Sequence, residues 1–273
     1  MLPPAPVSPM AFTESVGAAT INGLAYVGGL ARITGGAAKA LFVEPARVGK
    51  LLSRSIHQAM AVGVEAIPIV SLISFFIGLI FALQSAYQLR KLGALQFVAA
   101  AVAIAITREL GPLMTAVMVI GRSGSSFAAE IGTMKVNEEI DAMETMALEP
   151  VRFLVAPKLI AMMLMLPCLT TWADFMGVVG GGVFGVTSGP FTWHSYFQAT
   201  LDALVRRDIL TGLVKSVMFG VVITAVGCME GFSTGLGSEQ VGRSTTSAVV
   251  KSIFMVIFVD VIFTAIFYFA MPD

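Results

Sequence analysis

Two adjacent ionisable residues, Arg108 and Glu109, stand in the middle of an apolar run, with Leu110, Gly111 and Pro112 directly behind them. A charged side chain at mid-bilayer costs ~2.5–3.5 kcal/mol on insertion scales, so such residues normally face a partner helix or a watered cavity. Pro112 has no N–H to give the carbonyl of Arg108, so a helix here is expected to kink at the charged pair, and Gly111 adds backbone freedom. TRELGP is therefore expected to line an internal site that takes a polar or charged group. A structural ion pair that locks helices together is the alternative. Neighbours on a helix point ~100° apart, so each charge is expected to need its own counter-charge. Lys215, Asp174, Glu230 and Asp260 are the other ionisable residues within apolar runs. By depth, Glu109 would pair with Lys215, and Arg108 with Asp260 or Asp174.

Catalysis has no comparable foothold. GRSGSS at 121–126 is glycine- and serine-rich, but a nucleotide-binding P-loop needs GxxxxGK[ST], and Gly49-Lys50-Leu51 lacks the hydroxyl residue. An HExxH zinc motif is also missing. Cys168 and Cys228 fall in apolar runs without ligand spacing and read as packing residues. His57 and His194 have no ligand-like companions, and Glu65 sits at the entrance of an apolar run where it can reach the interface. No metal or cofactor is expected on this chain. The net charge of zero offers no general basic field for nucleic acid.

The elements that must hold Arg108 and Glu109 are membrane helices. The chain is 56% hydrophobic and only 12% charged, against roughly a quarter charged in ordinary soluble domains. Five apolar stretches are long enough to cross ~30 Å of hydrocarbon: 62–83, 97–119, 159–186, 211–232 and 249–269. The third is long and contains Pro167, which allows a tilt or bend. The expected fold is an all-α integral membrane protein. Residues 1–15 read as a flexible tail without the features of a signal peptide. Residues 16–61 read as interfacial amphipathic helices, or else a cytoplasmic tail, before a transmembrane domain over 62–270. Eleven of the 17 Lys and Arg residues collect on one side of the five spans and five on the other, with Arg108 inside. That asymmetry places the N-terminus in the cytoplasm and the C-terminus outside.

The cytoplasmic segment 121–158 is too polar to cross and too patterned for a linker. Asn137 is a plausible helix N-cap, Glu138 and Glu139 suit the first turn, and Pro150 marks the stop, giving a helix of about 11 residues. Ile140, Met143 and Met146 or Ala147 form an apolar stripe among Glu138, Glu139, Asp141 and Glu144. Such a helix could insert into a groove of a cytoplasmic partner, or lie on its own membrane domain. Gly177, Gly181 and Gly185, and likewise Gly227, Gly231 and Gly235, recur every four residues. These ridges let backbones approach, within one chain or between two copies. The methionines at 162, 163 and 165 read as adaptable apolar packing.

The ordered strings ALQSAYQL, the long run from TRELGPLMTAVMVIGRSGSS to EPVRFLVAPK, GLVKSVMFG and VGRSTTSAVVKS resemble the MlaE/YrbE family, over roughly Ile67 to Phe267. Its members are permease subunits of ABC transporters that work with MCE-domain proteins. The resemblance implies a homodimeric permease in the bacterial inner membrane, bound by separate ABC ATPase subunits that hold ATP and Mg. It further implies a ring of MCE proteins above, a STAS-domain protein on the ATPase, and phospholipid as substrate. Carried onto this sequence, the lipid pocket would use Arg108, Glu109, Leu110, Lys215 and Asp260, lined by Phe81, Gln84 and Leu89. The helix from Glu138 to Met146, with Glu139, Asp141, Met143 and Glu144, would couple to the ATPase. Two rivals stand beside it: an ion-coupled secondary transporter using Arg108, Glu109 and Asp260, and a non-transporting membrane scaffold.

Overall fold

A computed structural model describes residues 9–43, 48–189 and 191–270. Among these, every regular element is helical: α1 (Pro9–Val43), α2 (Val48–Gly63), α3 (Ile67–Lys91), α4 (Val98–Ala105), α5 (Gly111–Val119), α6 (Ser125–Val136), α7 (Glu139–Thr145), α8 (Ala156–Thr187), α9 (Trp193–Ala203), α10 (Arg206–Phe232) and α11 (Ser238–Ala270). Of the tail expected at 1–15, residues 1–8 lie outside the described residues, as does Arg47 among the N-terminal charges. Among the described residues, five continuous helical rods are long and apolar enough to cross a membrane: Ser53–Lys91, Leu95–Val136, Val151–Thr187, Arg206–Phe232 and Ser238–Phe269.

The second rod differs most from the sequence reading. It does not stop near Val119 but continues through two π turns, Ile106–Leu110 and Ile120–Gly124, to Val136. The segment GRSGSSFAAE, polar by composition, is helical because its small residues let α6 run against α10. A Cβ at Gly227 would press on the Gly124 carbonyl, and one at Gly231 would press on Ile131. At 1.5 Å per residue the rod is ~63 Å long, about twice the hydrocarbon thickness, so part of it stands in the aqueous phase. The connection between the second and third rods thus shrinks to a short stretch around α7. Pro167 lies inside α8 without ending it.

The α8 helix is the centre of the bundle, packed by α2, α3, α5 and α10. Its tightest crossing is at Gly78 of α3, where even a Cβ would fall on the Gly177 carbonyl of α8. The Gly177, Gly181 and Gly185 ridge is filled from within the chain, by Ile106 at the first position and Tyr196 of α9 at the other two. Bundles in lipid gain little from hiding apolar side chains and pack instead through small residues. The outward faces of α3 and α11 accordingly expose Leu72, Phe76, Ile80, Phe254, Phe258 and Val261.

Candidate functional site

The residues TRELGP form a π turn over Ile106–Leu110, in which the Gly111 N–H donates to the Ile106 carbonyl. The cause is local: Pro112 cannot donate, and a wider i→i+5 turn re-pairs the backbone around it. Gly111 is required here because the Asp174 carboxylate of α8 occupies the place a Cβ would take.

The π turn aims both charges at one helix. Arg108 Nε donates to Asp208 Oδ1 at 2.5 Å, and Lys215 Nζ donates to Glu109 Oε2 at 2.6 Å. The Glu109–Lys215 pairing is the one depth suggested. The partner of Arg108 is a correction: it is Asp208, not Asp260 or Asp174. Asp208 and Lys215 are seven residues apart, about two turns, and so share a face of α10. Asp208 also accepts the Val205 N–H at 3.1 Å, closing the first turn of α10 while it holds Arg108. Asp260 instead joins Lys215 at 3.0 Å, and Lys215 donates to Thr264 Oγ1 at 2.7 Å. Thr264 in turn donates to Glu109 Oε1 at 3.1 Å.

Lys215 and Asp208 are buried, Asp260 is largely covered, and the cluster opens at Glu109 and Arg108. The side chain of Lys215 is 2% exposed, whereas Glu109 and Arg108 remain 40% and 42% exposed. Beside them Leu110, Phe81 and Leu89 pack with Ile106 and Val102 in one apolar cluster. Gln84 is exposed on the same helix as Phe81. The expected pocket residues thus divide into an ionic group of Glu109, Lys215 and Asp260, Arg108 held beside it by Asp208, an apolar group alongside, and Gln84 at the surface. Asp174 Oδ1 is buried without a hydrogen-bond partner among the described residues.

A second charged cluster, unread in the sequence, closes the far end of α10. Glu230 accepts from Lys251 Nζ at 2.8 and 2.9 Å, from Ser247 Oγ at 2.6 Å and from Tyr26 Oη at 3.1 Å. Burial, and then the Glu230 carboxylate, push the Tyr26 phenol above its usual range, so it stays a donor. Glu65 pairs with Arg122.

The α7 helix is shorter than expected and starts differently. Its N-cap is Glu138, held at φ 59°, rather than Asn137, whose Nδ2 donates to Glu139 Oε1 at 3.2 Å. Ile140 and Met143 of the apolar stripe are buried in the chain's own core, whereas Met146 is not. Glu138, Glu139, Asp141, Glu144 and Met146 are exposed, with Asp141 tied to Lys135 at 3.1 Å.

A family model described as Permease MlaE matches residues 55–266. A probable ABC transporter permease protein of Rickettsia felis is 37% identical over 255 residues, covering 93% of this chain and 97% of its own length. The intermembrane phospholipid transport system permease protein MlaE of Haemophilus influenzae is 33% identical over 214 residues, 78% of this chain and 82% of that one. The chloroplastic protein TRIGALACTOSYLDIACYLGLYCEROL 1 of Arabidopsis thaliana is 32% identical over 221 residues, 81% of this chain and 63% of its own. Five membrane-length helices, a charged cluster inside them and a match over most of the chain lead to one assignment: this chain belongs to the MlaE permease family.

Proposed function

We propose that this chain is the permease subunit of an ABC-type transporter that moves phospholipid between the bacterial inner membrane and an MCE-domain protein, supporting outer-membrane lipid asymmetry. The observation that carries the reading is the half-exposed Arg108–Glu109 pair on the π turn. Charges set among membrane-length helices cannot face acyl chains at low cost, so their open side calls for a polar neighbour. A cavity between two copies of the chain, holding a phospholipid headgroup near Lys215 and Arg108 and its chains along Phe81, Leu89 and Leu110, meets that need. The N-terminus lies in the cytoplasm in this reading, and α7 faces the ATPase through its exposed acidic residues and Met146. ATP and Mg belong to that separate ATPase chain. A ring of MCE proteins outside and a STAS-domain protein on the ATPase complete the assembly.

The test is co-purification with an ATPase encoded beside this chain, followed by mass spectrometry of bound lipid. Phospholipid should be recovered with the wild-type complex and lost with Glu109→Gln, and removing residues 138–146 should release the ATPase. Recovery of equal phospholipid with Glu109→Gln sinks the pocket assignment. One observation favours a second reading, ion-coupled transport: the Asp174 carboxylate beside the π turn, whose Oδ1 is buried without a partner among the described residues. Transport that persists with a disabled ATPase and collapses with the proton gradient would establish it.

A further inference from the structure

A crevice of about 290 Å³ opens between α2 and the start of α8, with α6 behind it. It lies toward the end of the bundle where α10 finishes, since Glu130 in its wall adjoins Ile131, which packs on Gly231. Lys215, by contrast, stands near where α10 begins. From α2 come Arg54, His57 and Gln58, from α6 Glu130, and from the third rod Phe153 and Lys158.

The Arg54 guanidinium stacks over the Phe153 ring at 3.8 Å from its centroid. Stacking fixes the plane of the group and directs its N–H edges outward, a geometry suited to two oxygens of one phosphate. Lys158 is buried, with its Nζ donating to Glu130 Oε2 at 2.6 Å and lying 4.9 Å from the Phe127 ring centroid. Two fixed cations thus face one carboxylate, leaving the crevice net positive, with His57 exposed beside them.

The surface next to the crevice identifies its occupant. Ile56, Met60 and Val64 are exposed on the adjoining side of this rod, continuing into exposed Ile67, Ile69 and Leu72 of α3. An apolar face that leads past one exposed carboxylate, Glu65, into a membrane-length helix belongs against acyl chains, which puts the crevice at headgroup height. Basic pockets between helices at that level hold acidic headgroups.

We propose that the crevice formed by Arg54, Phe153 and Lys158 binds the phosphate-bearing headgroup of an anionic phospholipid from the adjacent leaflet, with its acyl chains along Ile56, Met60 and Val64. This rests on the permease reading only in requiring a membrane around α3. It is a site apart from the Glu109–Lys215 cluster, and nothing moves through it.

The test titrates the full-length protein in mild detergent with dioctanoyl-phosphatidylglycerol, dioctanoyl-phosphatidylcholine and inorganic phosphate, counting bound lipid by native mass spectrometry. Wild type should take the phosphatidylglycerol in preference to the phosphatidylcholine, and Arg54→Gln should weaken that binding about fivefold. Glu109→Gln should leave this component in place. Arg54→Glu, a charge reversal at an exposed position, should abolish it. Unchanged phosphatidylglycerol affinity in both Arg54 variants overturns the proposal. So does competition by inorganic phosphate at equal concentration, which would mark a site for free anions. Loss in Glu109→Gln alone would assign the lipid to the central cluster, ending the crevice proposal while leaving the permease reading intact. Release of a co-purifying ATPase by Arg54→Glu, without any change in lipid count, would make the crevice a protein-docking surface instead.

Discussion

At the end of α10 the Glu230 carboxylate is surrounded by donors, two contacts from Lys251 and one each from Ser247 and Tyr26. At the start of the same helix a single buried ammonium, Lys215, serves two carboxylates, and one of them, Glu109, keeps much of its surface open. The first arrangement leaves the acid nothing further to accept and ties α1, α10 and α11 together. The second has spare acceptor capacity on Glu109 and a neighbouring guanidinium on Arg108. Satisfied networks rigidify, while incompletely covered ones are where a ligand can add a bond. One helix therefore carries a fastening at one end and a receptive site at the other.

The strongest way to break that contrast is Lys215→Met. Removing one member of a buried ionic group typically costs ~3–5 kcal/mol, because the remaining charges are left unpaired. A large fall in the thermal unfolding midpoint in detergent, together with loss of bound phospholipid, is expected. Glu230→Ala should cost less, ~1–3 kcal/mol, since Lys251 is 45% exposed and can turn its ammonium to water. Its midpoint should fall while the phospholipid recovered stays at the wild-type level, and a loss of lipid here would erase the distinction between the two ends. Thr264→Val removes the hydroxyl bridging Lys215 and Glu109 and should cost ~1 kcal/mol, with the effect visible chiefly in lipid retention. Smallest is Tyr26→Phe, at ~0.5 kcal/mol by denaturant unfolding, because Glu230 keeps its other donors.

The spans were legible because apolar runs of membrane length leave few alternatives, and Glu109 with Lys215 was legible because both are charges at similar depth. Asp208 escapes a hydropathy reading because it lies ahead of the apolar run 211–232, where a carboxylate reads as part of a loop. Its spacing of seven from Lys215 was the available signal, placing both on one face of α10. The continuation of the second rod to Val136 was hidden for a different reason. Glycine and serine read as loop residues, yet here they are what allows two helix backbones to touch. The Glu230 cluster draws Tyr26 from a helix more than 200 residues away, and no local pattern encodes such a meeting. Ile140 and Met143 showed a greasy face correctly, but periodicity alone does not say whether that face meets the chain itself or another protein.

The crossing of Gly78 on Gly177 sets the mechanical character of the bundle. With backbone pressed on backbone and no side chains between to slide or reorient, α3 and α8 form a single stiff strut. Any working stroke must then be taken up elsewhere. The second rod, interrupted twice by π turns and loosened at Pro112, is the compliant member beside it. In the proposed transporter, a push delivered by an ATPase at α7 would travel up that rod and arrive at the turn that carries Arg108 and Glu109.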